Sequence, residues 1–259
     1  MSILANLSRG KRIRAPKIVV YGPPKSGKST LGSQIPGAVF IDIEGGLDAL
    51  DVASIPAKSY TDVLAVLTAL ATEQHDHSAV VVDSLDWMEL GLWDYVCAKD
   101  GVKSIELVGG GYGKGYLEAA KLWAEFFTAL DYLRNERGMA VVLIAHDIVA
   151  KMQPPDGEPY TYAELKLHQR ASALVKEWAD CIGYVTEKTF LKKDDLGFNK
   201  KHVRAIGSKE RVLIVGKNPA YVSGNRYGMA DEVPLEWNAF VTAMTAAVTA
   251  TPTPAAQAA

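Results

Sequence analysis

Four short apolar runs, each closed by polar residues, set the frame of this 259-residue chain. Lys17-Ile18-Val19-Val20-Tyr21 stops at Gly22, and Ala38-Val39-Phe40-Ile41-Asp42-Ile43 passes into Glu44-Gly45-Gly46. Ala79-Val80-Val81-Val82 ends at Asp83-Ser84, and Ala140-Val141-Val142-Leu143-Ile144-Ala145 ends at His146-Asp147. Between them, Tyr60 to Thr72, Ser84 to Lys99 and Gly115 to Arg137 carry helical spacing; in the last, Leu117, Leu122, Phe126, Leu130 and Leu133 recur every three to five residues. Near-continuous Val/Ile strands separated by helices predict an α/β fold with a mostly parallel central sheet covered on both faces. Ligands in such sheets sit at the carboxyl ends of the strands. The polar residues that close the four runs fall there.

After Ala150 the texture changes. Gln153 to Pro159 reads as a turn-rich loop and Ala163 to Trp178 as a helix. The short runs Ile182 to Thr186, Val203 to Ile206 and Arg211 to Val215 predict partly antiparallel strands toward the C-terminus. The uncharged Ala/Thr/Pro stretch from Thr245 to Ala259 is expected to be disordered. The expected organisation is a basic N-terminal extension over 1–16, one domain over 17–243 and a tail over 244–259.

Composition narrows the class. A hydrophobic fraction of 48% supports one large core. No uninterrupted apolar run of about 18 residues exists, and the first ten residues lack the charged-then-apolar order of a secretory leader. A cytoplasmic protein with no membrane partner is the expectation, with Cys97 and Cys181 as buried thiols in a reducing compartment. The net charge of -2 argues against a uniformly basic nucleic-acid binder. Yet Arg9 to Lys17 and Glu187 to Lys217 are each +5, which leaves -12 on the rest and implies a polarised surface.

The first run leads into Gly22-Pro23-Pro24-Lys25-Ser26-Gly27-Lys28-Ser29-Thr30, which contains Gly-x-x-x-x-Gly-Lys-Ser between a predicted strand and a predicted helix. The loop's backbone N–H groups make a nest for phosphate oxygens, Lys28 adds a mobile positive charge, and Ser29 offers a hydroxyl to Mg²⁺. ATP and Mg²⁺ are therefore the expected cofactors. Such a loop needs a carboxylate opposite it, and Asp83 is assigned to the metal side with Ser29. Glu44 is the candidate for orienting the attacking water, on the expectation that its strand neighbours the P-loop strand; Asp42 is its rival. His146 is placed to sense the terminal phosphate. Glu44, Lys28 and His146 make up the expected catalytic set.

These residues carry a resemblance. Phe40-Ile41-Asp42-Ile43-Glu44-Gly45-Gly46-Leu47-Asp48 is similar to the RecA-core segment that bears the catalytic glutamate, and Val80-Val81-Val82-Asp83-Ser84-Leu85 to its metal-site strand. Gly111-Tyr112-Gly113-Lys114-Gly115-Tyr116, Lys166-Leu167-His168, Trp178-Ala179-Asp180 and Asn225-Arg226-Tyr227-Gly228 resemble phage-type RecA-like ATPases of the single-strand annealing and recombination group. The resemblance implies a RecA-like core, rings or filaments of one chain with ATP at the subunit interfaces, and single-stranded DNA bound by loops after the metal-site and His146 strands. A single-stranded DNA-binding protein is a further partner in that setting. His146 departs from the polar amide that recombinases commonly place there.

Single-strand binding combines a basic groove with flat stacking surfaces. Lys103, Tyr112, Lys114 and Tyr116 offer that mixture on a Gly-rich segment, and Lys151, Tyr160, Tyr162, Lys166 and His168 offer it after the fourth strand. Lys217 and Arg226 are the candidates for a cation donated to a neighbour's ATP. Three other functions fit the same P-loop: a small-molecule kinase, a nucleotide-switched scaffold or loader, and a helicase motor. Lys114 is the one cation between Ile105 and Gly115, which disfavours the arginine-rich lid of a kinase.

Overall fold

In the computed structural model, residues 7, 14–195 and 201–249 are described, without the side chains of 189–195, 201–207 and 209. The four apolar runs form parallel strands: β1 (Lys17–Gly22), β2 (Ala38–Asp42), β4 (Ala79–Asp83) and β5 (Ala140–Met152). A short, exposed β3 (Ala53–Pro56) extends β2 at the sheet edge. The order along the sheet is β10-β8-β7-β1-β5-β4-β2-β3. β7 (Cys181–Asp195) runs parallel to β1, then turns back as the antiparallel β8 (Lys201–Ile214), with β10 (Glu232–Pro234) outside it and β9 (Gly224–Asn225) against β7. This is the α/β architecture of a P-loop NTPase core.

The strand order corrects one expectation. β2 does not neighbour β1, because β5 and β4 lie between them. The all-apolar runs Val80-Val81-Val82 and Val141 to Ala145 are buried and take central positions, while β2 and the exposed β3 lie toward the edge.

Each face of the sheet carries its own core. On one, Val19, Ile41, Val80, Val82 and Leu143 pack under α2 (Tyr60–Thr72), α3 (Leu85–Asp100), α4 (Lys114–Glu136) and α5 (Gln169–Trp178), whose Leu67, Leu92, Phe126 and Val175 are buried there. On the other, Ile18, Val20, Phe40, Val81 and Val142 meet Leu31 of α1 (Lys28–Ser33) and Trp237, Phe240 and Met244 of α6 (Trp237–Thr249). α2 begins at a capping box in which Ser59 accepts from the Asp62 N–H and Asp62 accepts from the Ser59 N–H.

Two further expectations change. Ala163 to Trp178 is not one helix: Tyr160–Leu165 is β6, antiparallel to the outer half of β5, and α5 starts at Gln169. β5 continues seven residues past Ala145 and offers an open edge, which Tyr-Thr-Tyr-Ala-Glu-Leu, with its β-forming residues, pairs. The expected disorder also fails at 245–249, which are helical in α6. Alanine favours helix, and the buried Trp237, Phe240 and Met244 anchor the preceding turns. Residues 250–259 lie outside the described residues, as does the basic group Arg9, Lys11 and Arg12.

Candidate nucleotide site

The strand order brings the carboxyl ends of β1, β5, β4 and β2 to one edge of the sheet. A cleft of about 390 Å³ opens there, lined among others by Lys28, Ser29, Thr30, Glu44, Asp83, His146 and Arg211. The backbone that makes it is specialised. Lys25 and Gly27 have φ of 63° and 105°, so the loop curls with left-handed turns. At Gly27 a Cβ would stand 2.9 Å from Arg211 Nη1 and 3.1 Å from Leu235 Cδ2, so only glycine fits without displacing its neighbours.

Lys28 is buried and its ammonium donates to the carbonyls of Gly22 at 2.9 Å and Pro23 at 2.8 Å. Burial lowers its pKa, against the attraction of Asp83. Across the cleft Ser29 Oγ donates to Asp83 Oδ2 at 2.6 Å. Burial raises the Asp83 pKa, and the Ser29 hydrogen bond opposes this. A phosphate beside Lys28 and a divalent cation beside Ser29 and Asp83 would each favour the charged form that burial penalises. Ser26 Oγ fits the same ligand: it is buried in the loop with no hydrogen-bond partner among the described residues, a hydroxyl suited to a phosphate oxygen.

Glu44 lies just past β2, with its N–H donating to the Asp83 carbonyl at 3.3 Å. Its Oε2 is 4.0 Å from His146 Nε2 and 3.5 Å from Ser84 Oγ. It therefore reaches the cleft although its strand is not beside β1. Asp42, its rival, accepts from the Gly45 N–H at 2.7 Å and does not line the cleft. His146 is paired in register with Gly22, so β5 sets it beside the start of the P-loop. Pro24, Lys25, Gly27 and Thr30 also line the cleft, with Gly22, Pro23 and Ser26 completing the loop.

Arg211 is the cleft residue that the sequence did not single out. It sits on β8, exposed, with its guanidinium over Gly27. Its one signal was membership of the basic Glu187 to Lys217 stretch.

The candidate DNA residues divide. Lys151, Tyr160 and Tyr162 lie on the β5–β6 hairpin, not on a loop, with Val149 at its exposed surface. Lys103 is exposed, and Tyr112 is wholly so. Lys114 and Tyr116 belong to the first turn of α4, after a 3-10 segment, Ile105–Gly110; Lys114 Nζ donates to the Gly109 carbonyl at 2.9 Å. Tyr116 and His168 stack on each other with ring centres 4.1 Å apart, so these faces are already covered. His168 also caps α5, its Nδ1 accepting from the Arg170 N–H. Lys166 lies 3.6 Å from Asp86.

Of the two candidate trans cations, Lys217 is exposed after β8 and outside the cleft lining. Arg226 is held by Asp180 at 3.3 Å and by the Glu177 carbonyl at 2.7 Å. Asp180 bonds through its N–H to Lys17, at the start of β1, so Arg226 sits by the opposite end of that six-residue strand from its own P-loop. Asp180 also binds Arg134 at 3.0 Å, and Asn225 Oδ1 accepts the N–H groups of Tyr227, Gly228 and Met229. The Trp178-Ala179-Asp180 and Asn225 to Gly228 motifs thus meet and fasten the far end of the sheet.

Among the described residues no helix is long and apolar enough to cross a membrane. No curated protein matches the chain. A family model described as AAA domain matches residues 14–227, from the strand before the P-loop through the Asn225 to Tyr227 turn. The nucleotide cleft and the sheet that builds it fall within that span, and the chain belongs to the AAA domain family of P-loop ATPases.

Proposed function

We propose that this chain hydrolyses ATP-Mg²⁺ and uses it to bind single-stranded DNA and promote annealing or strand pairing, as in the phage-type RecA-like group it resembles. The observation that carries the ATPase part is the convergence of Lys28, Ser29, Asp83, Glu44 and His146 on one cleft. The P-loop with Lys28 and Ser26 would hold the phosphates, and Ser29 with Asp83 would hold Mg²⁺. The metal supplies charge neutralisation at the terminal phosphates when bound. Glu44, exposed and beside His146, would orient the water.

The DNA part is supported by placement. The β5–β6 hairpin, with Lys151 and Tyr160, continues β5 directly beyond His146, and the Lys103 to Tyr116 segment follows α3 from the Asp83 strand. Both therefore lead from cleft residues. Lys103, Tyr112, Lys151 and Tyr160 are exposed and available to phosphates and bases; Tyr116 and His168 support the segment through their stacked rings. Assembly of several chains in a ring or filament, with Lys217 or Arg226 reaching a neighbour's ATP, belongs to the same proposal, as do a DNA-binding partner protein, cytoplasmic location and a domain that starts at 17.

ATP turnover by the purified protein, with and without single-stranded DNA and at two salt concentrations, tests it, with Lys28→Ala as the blank. Stimulation by DNA that weakens with salt and is lost in the blank is expected. Turnover that ignores DNA, with no DNA retained, would remove the recombination role and leave a switch or kinase; strand displacement would indicate a helicase motor.

A further inference from the structure

Asp86 stands in the first turn of α3, 6% exposed, and takes no direct part in the nucleotide chemistry above. Its two oxygens gather a set of donors. Ser84 Oγ donates at 2.9 Å and the backbone N–H of His146 at 3.1 Å, His146 Nδ1 lies 3.0 and 3.1 Å from the two oxygens, and Lys166 Nζ is 3.6 Å away. Ser84, the N-cap of α3, makes no side-chain capping bond and turns its hydroxyl to the Asp86 carboxylate. The cluster is therefore organised toward His146 and not toward capping.

Burial raises the Asp86 pKa, but its contacts with His146 and the hydrogen bond from Ser84 outweigh it, so the group lies below its ordinary value and is a carboxylate. A carboxylate only accepts, so the Nδ1 of His146 bears the hydrogen. The remaining ring nitrogen, Nε2, faces Glu44 at 4.0 Å in the cleft. One carboxylate thus holds both the backbone and the ring of the residue that β5 places beside Gly22.

We propose that Asp86 is a positioning residue for ATP hydrolysis: it fixes the tautomer and orientation of His146 so that Nε2 is presented to Glu44 and the phosphate end of the cleft. This rests on the reading of the cleft as an ATPase site. Asp86 itself does not line the cleft. Its side chain acts through His146, as an outer carboxylate acts on a histidine ligand or base.

The test uses the full chain labelled with ¹⁵N-histidine, with His146→Asn to assign the ring signals. In the wild type the His146 ring should show hydrogen on Nδ1 and should shift when ATP-Mg²⁺ is added. In Asp86→Asn the ring should show mixed tautomers, and kcat should fall on the order of 10- to 100-fold. Its KM and its affinity for a fluorescent ATP analogue should change less than about threefold, because ground-state binding is untouched. Asp86→Glu, which keeps the carboxylate, should recover part of kcat. An Nε2–H tautomer in the wild type, or wild-type kcat in a folded Asp86→Asn, overturns the proposal. Wild-type protein that binds ATP without turnover would instead sink the ATPase reading, and the ring signals would still judge Asp86. Should Asp86→Asn fail to fold, the wild-type tautomer decides.

Discussion

Glu89 provides a test of how the fold itself responds to pH. It lies about one turn along α3 from Leu85, 5% exposed, with Oε2 accepting the His168 N–H at 2.8 Å. Neither its Oε1 nor the nearby Trp123 Nε1 has a hydrogen bond of normal geometry among the described residues. Burial pushes the Glu89 pKa up to about 7, against the His168 N–H. In the unfolded chain the carboxyl titrates near ~4.3. The folded value is thus the higher one, and between the two the native state holds a proton that the unfolded state has lost. Stability from this group is greatest below the unfolded pKa, falls as pH rises through the interval, and levels off above the folded pKa. At about 1.4 kcal/mol per pKa unit the whole loss is about 4 kcal/mol, of which about 2.5 kcal/mol falls between roughly pH 5 and pH 8. Glu89→Gln removes the titration. Its buried amide costs on the order of 1 kcal/mol, equally at both pH values, and cancels in the comparison. Urea unfolding of both proteins at the two pH values should show the variant gaining about 2.5 kcal/mol on the wild type at the higher pH. Equal pH dependence in the two proteins would refute the argument, since it would mean that Glu89 is ionised in the fold throughout.

Three other perturbations give sharp outcomes. Glu44→Gln should keep ATP affinity within about threefold while lowering kcat on the order of 10²- to 10⁴-fold in a phosphate-release assay. Arg211→Ala removes the guanidinium above Gly27 and should raise the Kd for ATP about tenfold by calorimetry, with little change in melting temperature because the side chain is exposed. Asp180→Ala leaves Arg134 and Arg226 without their carboxylate at the far end of the sheet, and should cost about 3 kcal/mol in chemical unfolding while nucleotide affinity in the folded protein holds.

The sequence by itself determined whatever depends on neighbours in the chain. The P-loop is contiguous, so its glycines, Lys28 and Ser29 were legible as one unit, and the Val80 to Val82 run marked Asp83 as a strand-end carboxylate. The helices over Tyr60 to Thr72 and Gly115 to Arg137 followed from their periodic apolar faces. Tertiary structure decided what depends on which segments pair. It put β5 and β4 between β1 and β2, yet brought Glu44 to the cleft through the turn after β2. It made a strand of Tyr160–Leu165 because the long β5 offered an edge, and it kept 245–249 helical because α6 is anchored in the core. It also closed Tyr116 against His168, set Arg211 over Gly27 from 184 positions along the chain, and joined Asp86 to His146 across 60 residues. Spacing within a run is fixed by backbone geometry, whereas contacts between distant segments follow from how the sheet and its two cores assemble.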